Sequence, residues 1–238
     1  MSEPQNPLRQ PRPASGALLG PALFSLGRLA DNGIQYLLLR DHGAIPAGLI
    51  GVPAALDGDY SKVLLGLYSL SSLRQVYWAV VMNENNLPPG MAVGIVLFNT
   101  FFNTVCTFMA VWWGPSVTLS SPLLWTGVGL FTTGILLEMV SEEQRKSFKR
   151  QPKNKGKPFT GGLNRIVQHP NYLGYTLWRT GILLTTGSLP ATAIGFLFNT
   201  GTFLGASIPE LQAHNIKKYG EEYKLYAKRT PKLFPFLI

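Results

Sequence analysis

The chain has 238 residues, of which 46% are hydrophobic and only 14% are charged. Ordinary soluble domains carry about 25% charged residues, so this composition indicates that much of the surface does not face water. The single cysteine, Cys106, excludes a disulfide framework within the chain and argues against a cysteine-based metal site. The three histidines, His42, His169 and His214, are too scattered to predict a metal site, so no bound metal is expected.

The net charge of +9 is concentrated in two segments. Residues 141–165 contain eight of the 21 basic side chains, and the segment from His214 to Ile238 contains six more. Both segments adjoin long apolar stretches, and no nucleic-acid-binding motif accompanies them. Membrane topology therefore explains the charge better than a nucleic-acid groove does, and nucleic acid is not an expected partner.

The first part of the chain combines a polar start with two apolar runs. Residues 1–16 are rich in proline and are predicted to form a flexible tail. A membrane-crossing helix needs about 20 mostly apolar residues, and 17–39 is the first candidate. Its Arg28 and Asp31 are three residues apart, so they could pair on one helix face. The run 44–56 is too short and too rich in proline and glycine to cross, which predicts an interfacial or re-entrant segment.

Five further crossings follow. The second is predicted at 63–82, the third at 91–113, which has no charge, and the fourth at 122–140. Residues 172–208 contain two apolar runs separated by Gly-Ser-Leu-Pro, which predicts a helical hairpin. The expected fold is an all-α, polytopic transmembrane bundle of about six spans. Residues 17–140 would form its N-terminal transmembrane helices, and residues 141–238 a cofactor-binding loop, the hairpin and a C-terminal tail.

Charge also predicts the orientation of the bundle. The basic segments at 141–165 and 214–238 are separated by a hairpin that crosses twice, so they lie on the same side. Short basic loops are retained in the cytosol, which places both segments and both termini there.

The richest cluster of polar residues begins at Gln168, His169, Pro170 and Asn171. Proline is favoured in the first turn of a helix, so His169 or its neighbour is the expected cap of the fifth span. A helix N-terminus offers free N–H groups and a partial positive charge, to which Arg165 adds. The pattern predicts a place for an anionic group of a cofactor.

Ionisable groups within membrane spans are costly, so each one is a candidate for function. Tyr172, Tyr175 and Arg179 share one helix face by their spacing, either as the wall of a cavity or as interfacial anchors with a snorkelling arginine. Arg74 and Glu138 are candidates for substrate binding. Glu210, near the end of the sixth span, could relay a proton or form a solvated helix end.

The second half of the chain resembles the steroid 5-alpha-reductase-like membrane proteins, a superfamily that includes sterol reductases and isoprenylcysteine carboxyl methyltransferases. The residues that carry the resemblance are Glu138, Ser141, Glu142, Gln144, Phe148, Asn154-Lys155-Gly156-Lys157, Gly162-Leu163, His169-Pro170-Asn171-Tyr172, Gly174, Ser207-Ile208-Pro209, Lys218-Tyr219-Gly220, Tyr223, Tyr226, Arg229-Thr230-Pro231 and Phe234-Pro235. They cover about 100 residues in the family's order.

The resemblance implies a helical bundle of the endoplasmic reticulum membrane that holds NADPH or S-adenosylmethionine in a cytosol-facing pocket. A lipophilic substrate would enter from the lipid bilayer. By position, the cofactor pocket would include Asn154, His169, Asn171, Tyr172 and Tyr223, and Arg165 joins them on the charge argument above.

Three positions depart from the family pattern. The family usually has arginine where this chain has Gln168, an acidic residue where it has Tyr175, and often glutamate where it has Gln212.

Three functions stay open at this point. The first is an NADPH-dependent reductase of a carbon–carbon double bond in a sterol, terpenoid or other lipophilic substrate, with Tyr175 or Glu210 as the catalytic proton donor and Arg179 near the substrate. The second is methyl transfer from S-adenosylmethionine to a lipid-like acceptor, with Arg179 or Glu210 orienting that acceptor. The third is a membrane protein that keeps the fold without catalysis, which the three departures favour.

Overall fold

The computed structural model describes residues 18–236, and the regular structure of this part of the chain is helical, as predicted. Eight α-helices follow one another: α1 (Leu19–Ile50), α2 (Gly58–Tyr77), α3 (Pro89–Trp113), α4 (Pro122–Arg150), α5 (Pro170–Thr185), α6 (Leu189–Thr202), α7 (Ile208–Tyr219) and α8 (Glu221–Arg229). The tail predicted at 1–16 lies outside the described residues.

Within residues 18–236, three helices are long and apolar enough to cross a membrane: Pro89–Trp113, Pro122–Arg150 and the continuous stretch Leu189–Tyr219. The last of these is continuous because a π-helical turn, Phe203–Ser207, joins α6 to α7. A second π-helical turn, Trp78–Met82, extends α2. Helices α1, α2 and α5 do not meet these criteria of length and mean hydropathy by themselves.

Helices α2 and α4 extend beyond their predicted spans for identifiable reasons. Helix α2 begins at Gly58 rather than 63, because the Asp57 side chain accepts hydrogen bonds from the backbone N–H groups of Asp59 and Tyr60 and caps the helix there. Helix α4 continues to Arg150 rather than 140, so the first part of the predicted basic loop is helical. No glycine or proline interrupts that part before Pro152, and its residues include good helix formers.

Contacts divide the chain into two compact units. The first contains the chain up to Leu124 together with Thr185–Ser188, and the second contains Trp125–Leu184 and the chain from Leu189 onward. The predicted division between the N-terminal transmembrane helices and the cofactor-binding part, at residue 140, falls inside helix α4. That division remains a prediction.

In the first unit, α1 and α3 are parallel and α2 is antiparallel to both. Contacts between α1 and α3 advance together along the two helices: Gly27 with Val96, Asp31 with Asn103, Gln35 with Thr107, and Gly43 with Val111. Contacts between α2 and α3 run in opposite senses: Gln75 with Asn99 and Tyr68 with Thr107. Both α1 and α2 therefore lie alongside α3 over much of its length.

A buried polar network joins these three helices. Arg28 Nη1 lies 2.6 Å from Asp31 Oδ2, and both side chains are almost fully buried, which confirms the predicted pair. Asp31 also accepts hydrogen bonds from Gln35 and Asn103. Gln35 in turn accepts one from Thr107. Polar groups away from water need such partners, so the network fixes how the helices fit together.

Helix α1 is broken between Arg40 and Gly43. Asp41, His42 and Gly43 have φ values of 50°, 59° and 73°, in the left-handed region. The backbone N–H of Leu56 donates to the carbonyl of His42 at 3.2 Å, and His42 Nδ1 lies 2.8 Å from the carbonyl oxygen of Leu56. The break therefore separates a long straight helix from the short predicted segment 44–56.

In the second unit, α4, α5 and α6 alternate in direction. Glycines bring α4 and α5 close: a Cβ at Gly134 would lie 2.5 Å from the carbonyl oxygen of Gly174, and one at Gly181 would lie 2.5 Å from that of Gly127. Gly195 packs against Leu183, and Phe203 contacts Tyr175, so α6 runs back along α5. Val167, Leu173, Ile208 and Leu233 form a buried cluster beneath the start of α5.

Candidate functional site

The start of α5 follows the prediction. The helix begins at Pro170, and the carbonyl of His169 accepts hydrogen bonds from the N–H groups of Tyr172 and Leu173, both at 3.1 Å. His169 is thus the N-terminal cap residue. Proline loses nothing at the first helical position, because its missing N–H would have no partner within the helix.

The C-terminal segment covers this helix start. The N–H of Gln168 donates to the carbonyl of Pro231 at 2.7 Å, and the N–H of His169 donates to that of Lys232 at 3.1 Å. Gln168 and His169 are 4% and 3% exposed. The expected opening of this helix end toward water is therefore corrected: the segment after α8 seals it, and only Asn171 and Tyr172 remain partly exposed.

Two of the three departures from the family pattern are bonded to each other. Gln212 Nε2 donates to Gln168 Oε1 at 2.9 Å. The Gln168 amide donates to the carbonyls of Ala227 and Thr230. A neutral amide pair, in which every polar group of the Gln168 side chain is hydrogen-bonded, therefore stands where the family has arginine and glutamate, and neither change leaves a lone buried charge.

His169 carries a polar atom that lacks a partner. Within residues 18–236, its buried Nε2 has no hydrogen-bond partner. Its ring stacks on that of Tyr172, with centroids 5.5 Å apart. Burial lowers the pKa of His169 to about 4, so the imidazole is neutral near pH 7. A neutral ring nitrogen that is buried without a partner is the kind of group that a bound ligand satisfies.

His169 should make the stability of the fold depend on pH. The pKa of His169 is about 4 in the folded chain and 6.5 in the unfolded chain. Between these two pH values the unfolded chain therefore binds a proton that the folded chain does not. Acidification from pH 7 to pH 5 should therefore lower the melting temperature, and His169→Asn should reduce that fall. His214→Asn is the control. An unchanged pH slope in His169→Asn would contradict this cause.

A chain of ring contacts leads from His169 along α5 to the other predicted residues. Tyr172 stacks on Phe203 at 4.5 Å, and Phe203 meets the edge of Tyr175 at 5.5 Å. Tyr175 Oη accepts a hydrogen bond from Arg179 Nε at 3.1 Å. The predicted shared face of Tyr172, Tyr175 and Arg179 is thus present.

Arg179 does not reach toward headgroups. It is 2% exposed, and its guanidinium carbon lies 4.4 Å from the ring centroid of Trp178. The Trp178 Nε1–H donates to Glu138 Oε2 at 2.9 Å. Glu138, Trp178, Arg179 and Tyr175 therefore form one connected polar and aromatic group, which favours an interior role for Arg179 over interfacial anchoring.

The remaining predicted residues are distributed over the chain. Asn154 donates to the carbonyl of Phe148 at 2.9 Å and so closes the end of α4. Tyr223 is buried beside Tyr226, and burial raises its pKa. Arg165 and Glu210 are exposed, the latter in the first turn of α7. Arg74 is buried in the first unit, whereas Glu138 belongs to the second.

Several residues that shape this region had no predicted role. Gln144 Oε1 accepts the N–H of Leu163 at 2.9 Å, beside Gly162 with φ 53°, and so fixes the loop before α5. Tyr226 Oη donates to the carbonyl of Asn164. Gln144, Gly162 and Tyr226 belong to the family pattern, and this was the sign in the sequence that they contribute to the site. For Trp178, the sequence contains no such sign except its position next to Arg179.

Comparison with known proteins identifies the family. Residues 97–230 match the family model described as Protein of unknown function (DUF1295), which extends from α3 to the end of α8. The chain belongs to this family. Membership agrees with the resemblance to the steroid 5-alpha-reductase-like superfamily drawn from the motifs.

Curated relatives of this DUF1295 protein carry methyltransferase names. A protein of Ustilaginoidea virens named Probable O-methyltransferase ustE is 29% identical over 229 residues, covering 86% of this chain and 81% of that protein. Protein-S-isoprenylcysteine O-methyltransferase B of Arabidopsis thaliana is 33% identical over 79 residues, 33% of this chain and 39% of that protein. The Dictyostelium discoideum Protein-S-isoprenylcysteine O-methyltransferase is 26% identical over 131 residues, 54% of this chain and 50% of that protein.

These relatives favour the second function over the first. They are named as methyltransferases, and none of the three is named as a reductase. The matches to the isoprenylcysteine enzymes cover half of their length or less. These matches therefore do not show that this chain acts on the same substrate.

Proposed function

We propose that this protein transfers a methyl group from S-adenosylmethionine to an oxygen atom of a lipophilic acceptor in a membrane. The observation that carries the proposal is the similarity to the Ustilaginoidea virens protein over most of both chains. The shorter matches to isoprenylcysteine O-methyltransferases support the same reaction class. The NADPH-dependent reductase, expected first from the motifs, has no comparable support.

The partly exposed first turn of α5 is the proposed route by which S-adenosylmethionine reaches His169, since residues 231–232 cover the helix end itself. His169 Nε2 needs a hydrogen-bond partner, and the partly exposed Asn171 and Tyr172 adjoin it on the same helix turn. S-adenosylmethionine would supply an electrophilic methyl group. His169, Asn171, Tyr172 and Tyr223 are proposed to hold it, with Asn154 fixing the end of α4 and Arg165 contributing charge from the exposed loop.

The lipophilic acceptor is proposed to lie near the group that contains Tyr175, Arg179 and Glu138. Arg179 is held by Tyr175 and Trp178, so it can orient an acceptor without changing its own position. Arg74 and Glu210 remain predicted for substrate binding and catalysis.

A bundle of six crossings is part of this proposal. Helix α3 is long and apolar enough to cross, and α1 and α2 run alongside it over successive contacts. In the second unit, α5 lies along α4 in the same way. With the basic segments on the cytosolic side, both termini are proposed to be cytosolic, and the endoplasmic reticulum is the proposed membrane.

Ligand-induced heat stabilisation of the detergent-purified protein tests the cofactor. S-adenosylmethionine at 100 times its Kd should stabilise the fold by about 2.7 kcal/mol, and NADPH should give no shift. His169→Ala and Asn171→Ala should reduce the shift, while His214→Ala should keep it. Stabilisation by NADPH alone would restore the reductase, and stabilisation by neither would favour a non-catalytic protein.

Transfer itself is tested with S-adenosylmethionine labelled in its methyl group. Label should enter the organic-soluble fraction when the protein is incubated with membrane extract. Label that stays in the aqueous phase, despite cofactor binding, would contradict a lipophilic acceptor.

A further inference from the structure

A cavity of about 430 Å³ opens beside the break in α1 and has no part in the proposed methyl transfer. It is lined by Tyr36 and residues 39–42, where the first part of α1 ends, and by Gly58, Ser61, Lys62 and Leu65 in the first turns of α2. All of these residues belong to the first unit.

The break in α1 builds one rim of this cavity. Asp41 and His42 adopt left-handed backbone conformations, which are strained for residues other than glycine. His42 pairs with Leu56 just before α2, and this pairing holds the strained turn in place. Strain of this kind persists where the surrounding structure fixes it, and it places Arg40 and Asp41 at the mouth of the cavity.

Three charged residues line the mouth, Arg40, Asp41 and Lys62, and a fourth, Asp59, lies outside the lining as the ion-pair partner of Lys62. Arg40 lies 3.4 Å from Asp41, and Lys62 lies 2.7 Å from Asp59. All four side chains are at least about half exposed, so these ion pairs are weak and can exchange partners with a ligand. A phosphate would accept hydrogen bonds from Arg40 and Lys62. The two carboxylates would then face a cationic group on the same ligand and would oppose a purely anionic one.

The interior of the cavity is apolar. Leu39 and Leu65 line it, and Leu39 is 3% exposed. Further along the same two helices, Gly33 and Gly66 are exposed, and a Cβ at either position would meet nothing within 4 Å. Open surface of this kind, on the same two helices that carry the charged mouth at their ends, suits a hydrocarbon chain below a polar headgroup.

We propose that this cavity binds one zwitterionic glycerophospholipid such as phosphatidylcholine. Its phosphate lies between Arg40 and Lys62, its ammonium group faces Asp41 and Asp59, and one acyl chain follows the surface at Gly33 and Gly66. The site lies where the first part of α1 ends and α2 begins, and its depth at the headgroups rests on the proposed crossings of these two helices. It is independent of the cofactor.

Native mass spectrometry of delipidated protein, titrated with phosphatidylcholine and with phosphatidylglycerol of the same chains, tests this site. Phosphatidylcholine should bind more tightly. The double variant Arg40→Gln, Lys62→Gln should weaken its binding about tenfold, because two weak ionic contacts of up to about 1 kcal/mol each are lost. Lys153→Gln, Lys157→Gln, which removes the same charge from the basic loop, is the matched control.

A second variant keeps every charge. Gly66→Leu fills the surface proposed for the acyl chain and should also weaken phosphatidylcholine binding, while soluble glycerophosphocholine should bind the wild-type protein far more weakly than the lipid. Equal or tighter binding of phosphatidylglycerol, an equal loss in the loop control, or unchanged binding in both site variants would overturn the proposal. None of these results depends on binding of S-adenosylmethionine.

Discussion

Replacement of Asp31 by leucine should lower the free energy of unfolding by about 3–5 kcal/mol, the usual effect of removing one partner from a buried ion pair. Asp31 is fully buried and accepts hydrogen bonds from Arg28, Gln35 and Asn103. The substitution removes the carboxylate bound to Arg28 and the hydrogen bond from Asn103, one of the links between α1 and α3. Reversible unfolding in mixed detergent micelles measures the change.

A double variant isolates the electrostatic part of this effect. Arg28→Met together with Asp31→Leu removes both charges, so it should be more stable than Asp31→Leu alone. Additive losses in the double variant would contradict a charge-based cause. The exposed pair of Glu221 and Lys224 has the same spacing of three residues and is a matched control. Lys224→Gln should change stability little, because water screens that pair.

Replacement of Gly134 by alanine should be the second large effect, about 1–3 kcal/mol of destabilisation from overpacking. The new Cβ would meet the backbone of Gly174 at 2.5 Å and that of Trp178, and neither backbone can move aside without shifting α5. Because Trp178 also binds Glu138, the same change should lower methyl transfer. Thermal unfolding and the labelled-methyl assay measure both effects.

The same helix provides the control for Gly134. Gly129 is exposed, and a Cβ there would meet nothing within 4 Å. Gly129→Ala should be neutral or slightly stabilising, because alanine favours the helical state over glycine by up to about 1 kcal/mol. Similar losses of stability in Gly134→Ala and Gly129→Ala would contradict a role of Gly134 in the close approach of α4 and α5.

Much of the helical architecture could be predicted because its signals are local. Apolar runs predicted the helices at 91–113 and 122–140, and proline predicted the start of α5 at Pro170. The pair of Arg28 and Asp31 followed from a spacing of three residues. Helix boundaries were less certain, since the cap at Asp57 and the extension to Arg150 depend on side-chain chemistry within single turns.

The candidate site could be predicted only in part. Motifs brought His169, Asn171 and Tyr172 into one turn, and helical spacing placed Tyr175 and Arg179 on a shared face. The seal formed by residues 231–232 could not be foreseen, because it depends on pairing between segments about 60 residues apart in the sequence. The open helix end was expected because the start of α5 was considered without the C-terminal segment that packs against it.

Composition and order alone determined that this chain is helical, with apolar runs long enough to cross a membrane and with two basic segments, because hydrophobicity and charge act wherever a residue lies in the chain. Tertiary structure decided which polar groups are satisfied. Gln168 and Gln212 looked like two losses of charge, yet across 44 residues they form one neutral, hydrogen-bonded pair. Burial left His169 Nε2 without a partner among the described residues, and only packing could show that difference.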